Sequence, residues 1–155
     1  MTIGQAKQKI YRYCAYQERC HHEVKQKLAE FALDSDIIEE IIGHLIAEGF
    51  LNEERFARTF ASGKFRLKQW GKVRITRELE SRNVSAYCIK AGLSEITDTD
   101  YKTTLHELIL KKATQQTENN IFVLRDKVAR YTIAKGYEPE QVWQEIKQLI
   151  PDKRQ

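Results

Sequence analysis

The feature that most constrains this chain is an internal echo. Leu28, Leu33, Ile38 and Ile42 stand five, five and four residues apart, and Leu79, Val84, Ile89 and Leu93 repeat those steps. A segment that recurs in this way reads as one supersecondary unit used more than once. A looser third copy follows, in which Val128 and Tyr131 precede Gly136 and Tyr137, and Val142 and Ile146 keep the final step of four. The unit is helical. Only seven glycines and two prolines interrupt 155 residues, and no stretch alternates apolar and polar residues with the period of a strand.

Helical periodicity places the elements. Ile37, Ile38, Ile41, Ile42, Leu45 and Ile46 share one face, behind candidate N-caps at Asp34, Ser35 or Asp36, and Gly49 ends the run. Phe56, Phe60, Gly63, Leu67 and Trp70 alternate steps of four and three, which predicts a long helix over 52–70 with these five residues as its buried stripe. Phe65, off that stripe, is the one aromatic of this helix expected to be available for contact. Further helices are predicted at about 3–17, 20–32, 72–82, 85–96, 99–116, 120–135 and 139–150, the last opening on Pro139 and stopping before Pro151. The fold class expected is all-α: three tandem three-helix, helix-turn-helix-like repeats over 1–50, 51–97 and 98–155, forming an elongated, curved array. A short helix pair cannot bury its apolar face alone, so each unit needs its own first helix or a neighbour.

Composition narrows the class further. Hydrophobic residues at 41% and charged residues at 31% suit a chain that folds around a core. Cys14, Cys20 and Cys88 are an odd count, and the N-terminus enters a polar helical pattern with no signal-peptide character, which together point to a reduced cytoplasmic compartment. No apolar run approaches the roughly 20 residues that cross a bilayer. No cofactor motif is present. His22-Glu23 opens like a zincin helix, but Gln26 stands where a second histidine is needed, and the Cys14, Cys20, His21, His22 spacing fits no familiar zinc site. Gly63-Lys64 and Gly71-Lys72 lack the rest of a phosphate-binding loop. Neither a metal site nor an enzyme is expected.

Net charge is +4, and its distribution carries more than its size. From Leu33 to Glu54 the chain bears Asp34, Asp36, Glu39, Glu40, Glu48, Glu53 and Glu54 and no Lys or Arg. From Arg55 to Arg82 it bears Arg55, Arg58, Lys64, Arg66, Lys68, Lys72, Arg74, Arg77 and Arg82 against Glu78 and Glu80 alone. On an ordinary solvated helix such cations find Glu four residues away. Their shortage here predicts an exposed basic face that attracts phosphates or acidic protein surfaces, with Arg58, Lys64, Arg66, Lys68, Lys72, Arg74, Arg77 and Arg82 as its candidate contact residues.

Two stretches carry a family resemblance. Glu48-Gly49-Phe50-Leu51-Asn52-Glu53-Glu54-Arg55-Phe56-Ala57 and Arg66-Leu67-Lys68-Gln69-Trp70-Gly71-Lys72-Val73-Arg74-Ile75, closed by Glu78-Leu79, resemble the signature of the RecX family, and Ala134-Lys135-Gly136-Tyr137-Glu138-Pro139-Glu140-Gln141-Val142 is similar to the turn of its third unit. The chain departs from the pattern at Asn52, where the family usually has an acidic residue, and at Cys20-His21-His22-Glu23-Val24. The resemblance implies a monomeric, non-enzymatic regulator of homologous recombination and DNA repair. Such a protein lodges in the groove of the RecA–single-stranded DNA filament, touching RecA and the DNA backbone, and modulates ATPase, strand exchange and co-protease activity, usually by inhibition, with stimulation left open by the sequence. It implies Lys64, Arg66, Lys68, Lys72, Arg74 and Arg77 as contacts, and Asn52, Glu53 and Glu54 as a helix cap.

The alternative reading is a helix-turn-helix transcriptional repressor that reads a major groove. Against it, the third helix of the middle unit, Ser85 to Ile96, offers Lys90 as its single cation and makes a poor reader of guanine. A scaffold that turns the basic face toward acidic proteins is the third possibility.

Overall fold

The computed structural model describes residues 1–152, and among them the chain forms nine α-helices and no strand. These are α1 (Ile3–Tyr16), α2 (His21–Ala29), α3 (Ser35–Ala47), α4 (Glu53–Lys68), α5 (Lys72–Ser81), α6 (Ala86–Leu93), α7 (Asp98–Thr114), α8 (Ile121–Ala134) and α9 (Pro139–Leu149). The starts follow from side chains that satisfy the free N–H groups of a first turn. Thr2 and Gln5 form a reciprocal capping box on α1, Cys20 and Glu23 do the same on α2, and Ser85, Thr97 and Asn120 accept from the first turns of α6, α7 and α8. Asn52 caps α4 as expected, its Oδ1 accepting from the Arg55 N–H at 2.8 Å. Pro139 occupies the first turn of α9.

The repeated spacing has a structural counterpart at the turns. Ala32, Asn83 and Gly136 all adopt left-handed backbone, with φ of 54°, 58° and 107°. Each sits one residue before the second member of its spaced set, that is before Leu33, Val84 and Tyr137. At Asn83 and Gly136 the helix ends with crossed hydrogen bonds: Val84 N–H donates to Leu79 O, and Tyr137 N–H to Thr132 O. The third set is therefore as regular as the others. Thr132, Tyr137, Val142 and Ile146 are spaced five, five and four, all buried, with the Thr132 hydroxyl donating to the Val128 carbonyl at 2.7 Å. A search for apolar residues alone passes over the set because its first member is a threonine.

The chain divides into two compact units. One comprises Met1–Phe60 with Glu78–Ser94; the other comprises Ala61–Arg77 with the described residues from Glu95 onward. In the first, Ile10 and Cys14 of α1, Val24 and Leu28 of α2, Ile41, Ile42 and Leu45 of α3, and Leu51 form one cluster, edged by Leu33, Ile38 and Phe50. In the second, the core is built from Phe65, Ile75, Tyr101, Leu105, Ile109, Leu124, Val128, Tyr137 and Ile146, among others.

The expected stripe on α4 is corrected. Leu67 is 83% exposed, Phe60 and Trp70 are half-buried, and the residues that face the core are Phe56, Ala57, Ala61 and Phe65. The reason is size. Alanines at steps of four let neighbouring backbone approach, so the small residues mark the contact face while the bulky ones flank it. Phe65, expected to be free for contact, is core, with its ring 6.0 Å from that of Tyr101.

Candidate nucleic-acid interface

The segment 61–77, which is the second half of α4, a three-residue bend and the first half of α5, contains six Lys or Arg residues and no Asp or Glu. What fixes it is a backbone clasp. Gly71 N–H donates to Lys135 O and Val73 N–H to Gly136 O, each at 2.9 Å, so the bend lies directly on the turn between α8 and α9. A side chain at Gly71 would place its Cβ 2.3 Å from the Gly136 carbonyl atoms, which explains why glycine stands there. Gly136 is constrained twice, by its left-handed φ and by Arg74, whose Cβ leaves no room for another.

Side chains reinforce the clasp. Lys135 Nζ donates to Lys68 O and the Tyr137 hydroxyl to Gln69 O, both at 3.0 Å, satisfying carbonyls at the end of α4. Lys72 N–H donates to the Tyr101 hydroxyl at 2.9 Å, and that hydroxyl donates in turn to Glu138. Burial, and then the bond to Glu138, holds the Tyr101 phenol well above its usual range, and burial does the same for Tyr137. Both rings stay neutral and stack at 5.0 Å. They act as a rigid floor under the bend.

On that floor the cations are arranged over aromatic faces. Lys64 Nζ lies 5.0 Å and Arg74 Cζ 4.2 Å from the Trp70 ring centre, and Lys72 Nζ lies 4.7 Å from that of Tyr101. Arg66 donates to the Ser62 hydroxyl at 3.1 Å. Arg66, Lys68 and Arg77 are exposed. Among the described residues Arg66, Lys68, Lys72, Arg74 and Arg77 form no ion pair with a carboxylate.

The other expected contact residues lie differently. Arg58 sits 3.8 Å from Glu54 and 3.4 Å from the Ser94 hydroxyl. Arg82 donates to the carbonyl of Glu78 at 2.8 Å and its carboxylate at 3.1 Å, over the Phe60 ring. Arg55 pairs with Glu18. The expected shortage of acidic partners therefore fails for these three, since Glu54 and Glu78 stand four residues away on the same helices and Glu18 reaches Arg55 from outside the basic run.

No group of three or more His, Cys, Asp or Glu able to hold a metal occurs among the described residues. The three cysteines are buried, and burial pushes the Cys14 and Cys20 thiols up to about 11. No helix of the described residues is long and apolar enough to cross a membrane.

Comparison with known families covers the basic segment but not the turn that clasps it. The family descriptions "RecX, first three-helix domain" and "RecX, second three-helix domain" match residues 6–45 and 52–93. The chain belongs to the RecX family. A regulatory protein RecX from Clostridium perfringens is 30% identical over 118 residues, covering 75% of this chain and 55% of that one. One from Streptococcus agalactiae serotype V is 24% identical over 143 residues, covering 92% and 55%. The chain thus spans about half the length of these curated relatives. The crystal structure of RecX from Lactobacillus salivarius has the same fold, with a TM-score of 0.86 at 22% identity over 95% of this chain and 96% of that one. Each of these curated relatives is named a regulatory protein RecX.

Sequence reasoning placed the basic segment but missed what holds it. Trp70, read as core, is the ring that gathers Lys64 and Arg74. Lys135, Gly136, Tyr137 and Tyr101 were seen as a turn and a helix, with nothing in one sequence to tie them to Gly71.

Proposed function

We propose that this chain binds the RecA filament assembled on single-stranded DNA and restrains it, lowering ATP hydrolysis, strand exchange and co-protease activity. The observation that carries the reading is the segment 61–77, with six cations, no carboxylate and a backbone clasped in place. Clustered, fixed cations attract a polyanion with little ordering cost. Membership of the RecX family supports RecA as the target. Lys64, Arg66, Lys68, Lys72, Arg74 and Arg77 supply the main contacts with the DNA backbone or with acidic RecA surface. Arg58 and Arg82 contribute less, because both already serve a carboxylate. In this reading the protein acts as a cytoplasmic monomer without a cofactor, and its three helical repeats over 1–50, 51–97 and 98–155 spread many weak contacts along the filament.

The test is to titrate the protein into RecA on single-stranded DNA while following ATP hydrolysis. A saturable fall in hydrolysis is expected; no change in ATPase, filament lifetime or strand exchange at saturation contradicts the proposal. A sequence-specific repressor would leave RecA untouched and discriminate among duplexes by several kcal/mol.

A further inference from the structure

We infer that Trp70 is a positioning residue: its ring holds Lys64 of α4 and Arg74 of α5 as a fixed pair of cations that clamp the phosphodiester backbone of single-stranded DNA. This rests on the reading above and goes one step deeper, into which group binds and what arranges it.

The geometry is specific. Trp70 is half-buried at the bend, its backbone N–H donating to Lys64 O at 3.2 Å, so the ring is tied to the last turns of α4. Arg74 stands four residues further on, in the first turn of α5, with its guanidinium 4.2 Å from the ring centre, while the Lys64 ammonium lies at 5.0 Å. Two like charges brought near each other repel, and an electron-rich ring that attracts both offsets that repulsion. Gly71, clasped to Lys135 and Gly136, keeps the two helices from swinging apart. The two cations are therefore ordered before any ligand arrives. Phosphate oxygens suit both, because the guanidinium offers a planar fork and the ammonium a point charge, each held against the same ring.

The same contacts argue against an obvious alternative. A tryptophan in a basic segment invites the reading of a stacking platform for bases. Here the ring is already engaged by two cations, so it organises charge instead of receiving a base. Recognition should follow the backbone and ignore base identity.

The experiment uses fluorescence anisotropy with naked oligo(dT), and with an abasic oligomer of the same length, over a range of salt, in parallel with the RecA ATPase titration. Thermal melting of each variant confirms that it is folded at the assay temperature. For the wild type, the two oligomers should bind alike. Trp70→Leu should weaken both by about five- to tenfold, Trp70→Phe should recover most of that, and Lys64→Ala and Arg74→Ala should each reduce the salt slope by about 0.7. In the Trp70→Leu background, Arg74→Ala should cost much less than in the wild type, since the pair acts as a unit. A loss in Trp70→Leu confined to oligo(dT), with the abasic oligomer bound as by the wild type, would make Trp70 a stacking residue and overturn the proposal. Folded Trp70→Leu protein that binds oligo(dT) normally but no longer restrains RecA would assign the pair to an acidic protein surface, again overturning it. If RecA is unaffected by the wild type while the oligomer results hold, the clamp stands and the regulatory reading falls.

Discussion

Two halves of one basic run treat their cations in opposite ways. Arg55, Arg58 and Arg82, in the unit built from Met1–Phe60 and Glu78–Ser94, each meet a carboxylate, and Arg82 also lies over Phe60. Arg66, Lys68, Lys72, Arg74 and Arg77, in the other unit, meet none among the described residues, and the cations there lie over Trp70 and Tyr101 or project into solvent. A count along the sequence scores all of them alike. Structure separates cations that meet a carboxylate from cations that lie over rings or face solvent.

The comparison breaks first if the segment 61–77 proves dispensable. Replacing Lys64, Lys68, Lys72 and Arg74 together with alanine should weaken binding to single-stranded DNA at least about a hundredfold and flatten the log–log salt slope by about 3, with the fold retained by circular dichroism. Next comes the clasp. Gly71→Ala forces backbone apart, because the added Cβ would lie 2.3 Å from Gly136, and should cost about 3 kcal/mol in denaturant unfolding. Binding should fall with it, since the cations lose their common frame.

The compensated half should behave the other way. Arg82→Ala removes bonds to the Glu78 carbonyl and carboxylate and a contact with Phe60, and should lower stability by about 1 kcal/mol while leaving the salt slope within about 0.3 of wild type. Arg58→Ala, on an exposed pair with Glu54, should cost less than about 0.5 kcal/mol and change binding least of all. A large loss of binding in either variant, with stability intact, would erase the distinction.

Much of the fold could be read from the chain. The steps of five, five and four located the turns, because a helix end with a left-handed residue leaves a fixed gap between apolar anchors. Thr132 hid the third set, since a hydroxyl bonded to its own helix can occupy a core position without looking apolar. The α4 face was misread for a related reason: Ala57 and Ala61 mark close packing yet add little to an apolar stripe, whereas Leu67 adds much and is largely exposed. The basic segment was legible as composition. Its support was not, because Gly71 and Gly136 lie 65 residues apart and meet through backbone atoms that carry no side-chain signature.

The most direct measurement compares two variants in one assay of RecA ATP hydrolysis on single-stranded DNA. At a concentration where the wild type restrains hydrolysis, the Lys64, Lys68, Lys72, Arg74 quadruple alanine variant should leave it at the rate of RecA alone, and the Arg58→Ala, Arg82→Ala double variant should restrain it as the wild type does. Equal restraint by the quadruple variant, or its loss in a folded double variant, would contradict the assignment of the interface to residues 61–77.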